Sequence, residues 1–359
     1  MGGAVVIVAY QSGGGAGGEF WLVGNLTHSP CVSLLNCIFS ENAHFDGSMK
    51  NYFLTINVFC SMALGAFAGE FEPAQVPANS QWYLHFDVDG FKKGPLGKFA
   101  LEQASKEAEK IDALALLMQF DPRKDLHGIT AFGSVVKDDL VGTVLVNGRY
   151  KKTQLMALLE TSVTGLKKEQ VNGVEILSWK NEDEATQEDK QSFGTFFDKD
   201  HILFGDDRNQ LLHALKVLTK KAPSLKADTL KGLAKEKGSY YLSGLLHMKG
   251  IPVPPEANFM ENVSTIGMTV GENDKNLIVS IKMITTGEEE CTQLQLIMQG
   301  FVALAHLSLI TNKEPSGKET IEILKGINIT KDNKTVFINL SHPVEKIMEL
   351  VRLQLAKAQ

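Results

Sequence analysis

Three side chains in one short stretch have the types and the spacing for metal or acid–base chemistry. In Trp82-Tyr83-Leu84-His85-Phe86-Asp87-Val88-Asp89 the apolar Leu84, Phe86 and Val88 alternate with His85, Asp87 and Asp89. Extended backbone sends successive side chains to opposite faces, so the alternation predicts a strand with the imidazole and both carboxylates on one side. Such a set suits zinc or manganese, and would make the chain a metal-dependent hydrolase. The plainer account is a solvated strand face, with Asp89 before Gly90 as a turn residue. A calcium loop does not fit, because a register starting at His85 puts Leu96 where the bidentate Glu belongs.

Other candidates are weaker. Asp121, Arg123 and Asp125 lie in F-D-P-R-K-D-L-H-G, a proline turn before a strand, and read as a local ion pair rather than the separated carboxylates of a glycosidase. His127, His201, His213, His247, His306 and His342 lack ligand spacing. After Ala68 there is no G-x-S-x-G elbow, H-E-x-x-H helix or phosphate-cradling glycine loop. Cys291 follows Glu288, Glu289 and Glu290, which would raise its pKa and dull it as a nucleophile. No catalytic residue and no cofactor is expected from these patterns.

The elements that must position these groups begin late in the chain. Met49 to Ala68, M-K-N-Y-F-L-T-I-N-V-F-C-S-M-A-L-G-A-F-A, has the form of an export signal: Lys50, an apolar run from Tyr52 to Leu64, and the small-x-small ending Ala66-Phe67-Ala68. Cleavage is expected after Ala68, with a periplasmic or secreted product. The run is too short, and too interrupted by Asn57, for a membrane span, and no transmembrane segment is expected after it. Residues 1–48, rich in glycine and without sustained periodicity, read as an extension ahead of a true start at Met49. Cys31, Cys37 and Cys60 precede the cut, which leaves Cys291 and no internal disulfide.

The net charge of −6 is mild. It offers nucleic acid no basic stripe. Lys216, Lys220, Lys221, Lys226, Lys231, Lys235 and Lys237 form a local basic stretch without interleaved aromatics, which favours a solvated linker over base stacking.

From Gly69 the period shifts between two and 3.6. A strand at 82–89 and a long helix at 96–119 lead to paired strands at 126–135 and 140–146, then a helix near 152–159. Strands at 173–179, 192–197 and 201–204 and a helix at 209–219 close the first unit. After the linker the order recurs. Ser239-Tyr240-Tyr241-Leu242 opens as Gln81-Trp82-Tyr83-Leu84 does, and Leu126, Ile129 and Leu140-Val141 match Val263, Ile266 and Leu277-Ile278 at an offset of 137. The expectation is an α+β fold of two duplicated lobes, 69–219 and 239–359 joined by 220–238, each a mixed or antiparallel sheet with helices packed on one face. The helix from Leu294 is apolar nearly all round and should lie buried or form the wall of a lipid-like site.

W-Y-L-H-F-D-V-D-G, F-D-P-R-K-D-L-H-G-I-T and F-F-D-K-D-H-I-L-F-G, together with the signal, resemble uncharacterised exported bacterial proteins that have no assigned activity. The resemblance spans most of 69–359 and implies an address but no catalytic residue. The leading expectation is therefore an exported, non-catalytic protein that binds a partner protein or small molecule between two lobes. The alternatives are the hydrolase built on His85, Asp87 and Asp89 and a carrier of an apolar ligand.

Overall fold

The computed structural model describes residues 69–358 apart from 107, 137–138, 183–188, 227–237, 254, 274 and 312–316, so the signal reading of Met49 to Ala68 and the extension before it lie outside the described residues. Twelve strands make one sheet. They are β1 Trp82–Asp87, β2 Leu126–Val136, β3 Asp139–Gly148, β4 Thr164–Val171, β5 Val174–Glu182, β6 Asp189–Phe196, β7 His201–Gly205, β8 Ser239–His247, β9 Val263–Glu272, β10 Asn276–Thr285, β11 Ile327–Asp332 and β12 Thr335–Pro343. Their order across the sheet is β11-β12-β10-β9-β8-β1-β2-β3-β7-β6-β5-β4, and every pairing is antiparallel. The halves anticipated on either side of the linker meet edge to edge: β1 pairs with β8 from Trp82↔Leu246 to Phe86↔Leu242.

Nine helices accompany the strands among the described residues. After β1 come α1 Val88–Lys93, α2 Pro95–Lys106, α3 Ala108–Met118 and α4 Pro122–Asp125. Between strands or after them lie α5 Lys152–Ser162, α6 Arg208–Leu218, α7 Glu288–Thr311, α8 Gly317–Lys325 and α9 Val344–Ala358. The first helical stretch thus starts earlier than the pattern suggests. Asp87 accepts the Gly90 N–H at 2.7 Å and caps α1 at the point where alternation would have carried the strand on to Asp89.

Helices cover both faces of the sheet rather than one. Leu145 and Leu203 point to the face of Tyr83 and Phe132 and pack beneath Leu211, Ala214 and Leu215 of α6. Their neighbours Val144 and Phe204 point the other way, onto Met156 and Leu159 of α5. Ile281, Met283, Val336 and Ile338 meet Cys291, Leu294 and Met298 of α7 on that same second face. Strands β3 and β7 are apolar at both parities, and a strand of that kind must be covered on both sides. The edge strand β4, T-G-L-K-K-E-Q-V, gives no alternating signal because it is largely solvated, and its lysines suit an unpaired edge.

Leu203 in β7 and Ile278 in β10 are both fully buried in opposite halves. Leu203→Ala and Ile278→Ala should each remove about 3 kcal/mol. With β1 and β8 hydrogen-bonded, both should lower one shared transition, seen together by fluorescence and circular dichroism. Two separable transitions would count against a continuous sheet.

Candidate functional site

The chemistry-bearing stretch sits at the middle of the sheet, but its three side chains go to three different partners. His85 is 5% exposed. Its Nε2 lies 3.1 Å from the Gly69 carbonyl and its Nδ1 lies 2.9 Å from Thr130 Oγ1. A carbonyl can only accept, so Nε2 carries the proton and Nδ1 accepts from the threonine hydroxyl. Burial lowers the imidazole pKa to about 4, against a smaller opposing effect of the Gly69 carbonyl, and keeps the ring neutral. Asp87 spends its carboxylate on the α1 cap; burial raises its pKa, opposed by the Gly90 N–H. Asp89 lies in α1, off the strand, 2.9 Å from His127 Nδ1 and 3.3 Å from Lys92 Nζ. Among the described residues no three His, Cys, Asp or Glu side chains are grouped to hold a metal ion.

The same holds for F-D-P-R-K-D. Asp121 caps α4, accepting the Arg123 N–H at 3.0 Å, and pairs with Arg123 Nε at 2.8 Å, while Arg123 also bonds to Asp112. The guanidinium, chiefly through its hydrogen bond, pulls the Asp121 carboxyl down to about 2. Cys291 of α7 is fully buried on the helix's core side, and that burial raises its thiol pKa. These groups hold structure in place.

Glu272 at the end of β9 is a buried carboxylate that sequence reasoning passed over. Its Oε2 accepts the Leu96 N–H at 3.3 Å, its Oε1 is buried with no hydrogen-bond partner among the described residues, and burial raises its pKa. Its signal was available: Ile266, Met268, Val270 and Glu272 share one parity, so an acid ends an otherwise apolar stripe.

Two further features concern binding. Cross-strand pairing from His85 aligns a polar row over seven adjacent strands: Thr130, His85, Ser243, Thr269, Ser280, Asn339 and Asn328. Thr269 Oγ1, Ser280 Oγ and Asn339 Oδ1 in that row are buried with no hydrogen-bond partner. At the other end of β8 a cavity of about 450 Å³ is lined by Met248, Ile251, Val253, Met260 and Val263, with Lys249, Glu261, Ser264 and Thr286. Met248, Met260 and Val263 belong to the core beneath α7, and Phe259 meets Phe301 of α7 edge to face at 5.3 Å.

The helix α7 is anchored by one stripe only. Cys291, Leu294 and Met298 are turned into the core, whereas Leu296, Leu304 and Leu307 on the opposite side are each at least 60% exposed. The near-continuous apolar sequence had suggested a helix buried on all sides. No described helix is long and apolar enough to cross a membrane.

No protein-family model matches the chain, and no curated protein matches it. Solved structures of the Treponema protein TP0453 are similar to it at low identity. Crystal form III gives 7% identity, covering 79% of this chain and 98% of that one, with a TM-score of 0.44. Crystal form IV gives 9% identity, 78% and 96% coverage, and a TM-score of 0.41.

The His85 geometry has a pH consequence. A base whose folded pKa lies below its unfolded value near 6.5 leaves stability intact above that value and removes it as pH falls towards about 4. From ~pH 7 to ~pH 5 this amounts to about 2 kcal/mol. His85→Gln, which can still donate to Gly69 and accept from Thr130, should flatten that part of the stability profile measured by urea unfolding. An unchanged slope would remove His85 as its source.

Proposed function

We propose that the chain is a binding protein, without a reaction of its own, that takes an apolar ligand on the solvent-facing side of α7. The observation that carries this reading is the exposed row Leu296, Leu304 and Leu307, with Phe301 beside it. Large apolar side chains left in water at helical spacing mark a contact surface. The non-catalytic part of the reading draws on His85, Asp87 and Asp121, whose polar atoms are engaged in caps and packing. A groove between the halves has less support, because β1 and β8 are joined by backbone hydrogen bonds.

Two finer points belong to the same proposal. The halves descend from one duplicated unit: the order β1-β2-β3-β7-β6 on one side is matched by β8-β9-β10-β12-β11 on the other. Pairing outward from the boundary gives His85–Thr130–Leu145–Leu203–Thr195 and Ser243–Thr269–Ser280–Asn339–Asn328. On this reading Thr130 corresponds to Thr269, two residues beyond what a constant offset of 137 would give. The chain is also exported by Met49 to Ala68, and the product begins at Gly69.

Native mass spectrometry after gentle purification should show an apolar adduct. Leu304→Asp should weaken binding of an environment-sensitive apolar dye about tenfold or more while leaving the melting temperature near its original value. Unchanged dye affinity would exclude α7 as the contact surface. Sequencing of the natural amino terminus should return Gly-Glu-Phe-Glu-Pro, and any other start would refute the export reading.

A further inference from the structure

The solvent-facing side of α7 has a gap in the middle of its apolar row. Leu296, Gly300 and Leu304 follow one another at a spacing of four, so they form one ridge along the helix, and Leu307 continues it. Gly300 is exposed, and among the described residues nothing lies within 4 Å of the point where a Cβ on it would stand. Its φ is not left-handed. Neither crowding within the fold nor backbone conformation therefore calls for glycine here, although glycine in a helix interior is less stable than alanine. What glycine does supply is room for another backbone to come close.

The rest of the face limits what can use that room. From Cys291 to Thr311 the helix has no Asp, Glu, Lys or Arg, whereas its first turn holds Glu288, Glu289 and Glu290. The complement of this face is apolar and uncharged, a description that α7 itself meets. A surface that pairs with its own copy across a two-fold axis must be knob and hole at once. With the axis at Gly300 and the helices antiparallel, Leu296 of each copy lies opposite Leu304 of the other, and Gln293 lies opposite Leu307. A parallel pair would crowd two acidic first turns together, and the antiparallel one sets them at opposite ends.

We propose that a second copy of this chain covers the face: two α7 helices cross antiparallel at Gly300, each presenting Leu296 and Leu304 to the other. The proposal rests on the reading of this side of α7 as a contact surface, and it names the partner that holds the surface when no apolar ligand does. Ligand and second copy compete for the same leucines. From Gln293 to Leu307 the contact is about 21 Å long, at about 1.5 Å per residue. One helix pair of that length is well below the area of obligate dimers, so the pairing is reversible.

Sedimentation velocity of the full chain over about a hundredfold range of concentration tests the pairing. The protein should pass from monomer to dimer, and a saturating amount of an environment-sensitive apolar dye should return it to monomer. Gly300→Leu fills the gap and should weaken dimerisation tenfold or more, while dye binding should rise because the competing copy is removed. Gly300→Ala, the milder change, should weaken dimerisation less and raise the melting temperature by about 2 °C; it serves if Gly300→Leu does not fold. In Gln299→Cys, one residue from the axis, mild oxidation should link two copies beyond the level of the unaltered chain. In Gln293→Cys, about 21 Å along the helix from its counterpart, it should not. A monomer at every concentration, dimerisation unchanged in both Gly300 variants, or linkage through Gln293→Cys rather than Gln299→Cys would overturn the pairing. Dye binding without dimerisation would overturn the pairing alone and leave the apolar-ligand reading standing, whereas dimerisation without dye binding would do the reverse.

Discussion

The pairing of β1 with β8 is the contact on which the rest of the architecture depends. Five residue pairs, Trp82↔Leu246 to Phe86↔Leu242, convert two sets of strands into one sheet. A long antiparallel sheet is stable only when each buried face has its own cover, and here the cover comes from helices that follow the strands in sequence. The α6 helix after β7 lies over Leu145 and Leu203, while α5 and α7 lie on the opposite side over Val144 and Ile281. Without the central pairing, β1 and β8 would both be exposed edges rich in apolar side chains, the kind of surface that invites association with other chains.

Much of this order was legible in the sequence where burial imposes a period. The paired strands β2 and β3, the strand β7 and the helix α6 follow from alternating or 3.6-spaced apolar residues and fall within a few residues of their expected limits. What escaped were elements whose stability comes from elsewhere. The β4 strand is polar and is stabilised by pairing with β5. The α1 helix exists because Asp87 caps it, and one side-chain oxygen outweighs the alternation that would have extended the strand to Asp89. Coverage of both faces depends on how the halves join, which is a long-range fact that no local window carries.

The candidate site illustrates the same limit. Alternation identified His85 and Asp87 as neighbours on one face, but type and spacing do not reveal what else reaches them. His85 is held by Thr130, which is close in space and remote in sequence, and by Gly69. The binding surface is the converse case. The composition of the helix from Leu294 marked it as unusual, yet only the packing separates the stripe of Cys291, Leu294 and Met298 from the solvent-facing Leu296, Leu304 and Leu307.

The polar row through His85 has a bearing on how the sheet finds its alignment. Antiparallel strands can in principle slide, and a shift by two residues keeps every side chain on its own face. Here such a shift of β8 against β1 would set Ser243 beside Tyr83 or Asp87 in place of His85, and move Leu245 away from Tyr83. Hydroxyl and amide groups stacked at one level thus act like the notches of a key, and they disfavour the sliding that apolar side chains alone would tolerate. A sheet of twelve strands has eleven such choices to make, and a single marked level running through seven adjacent strands lets six of those choices be checked against one another.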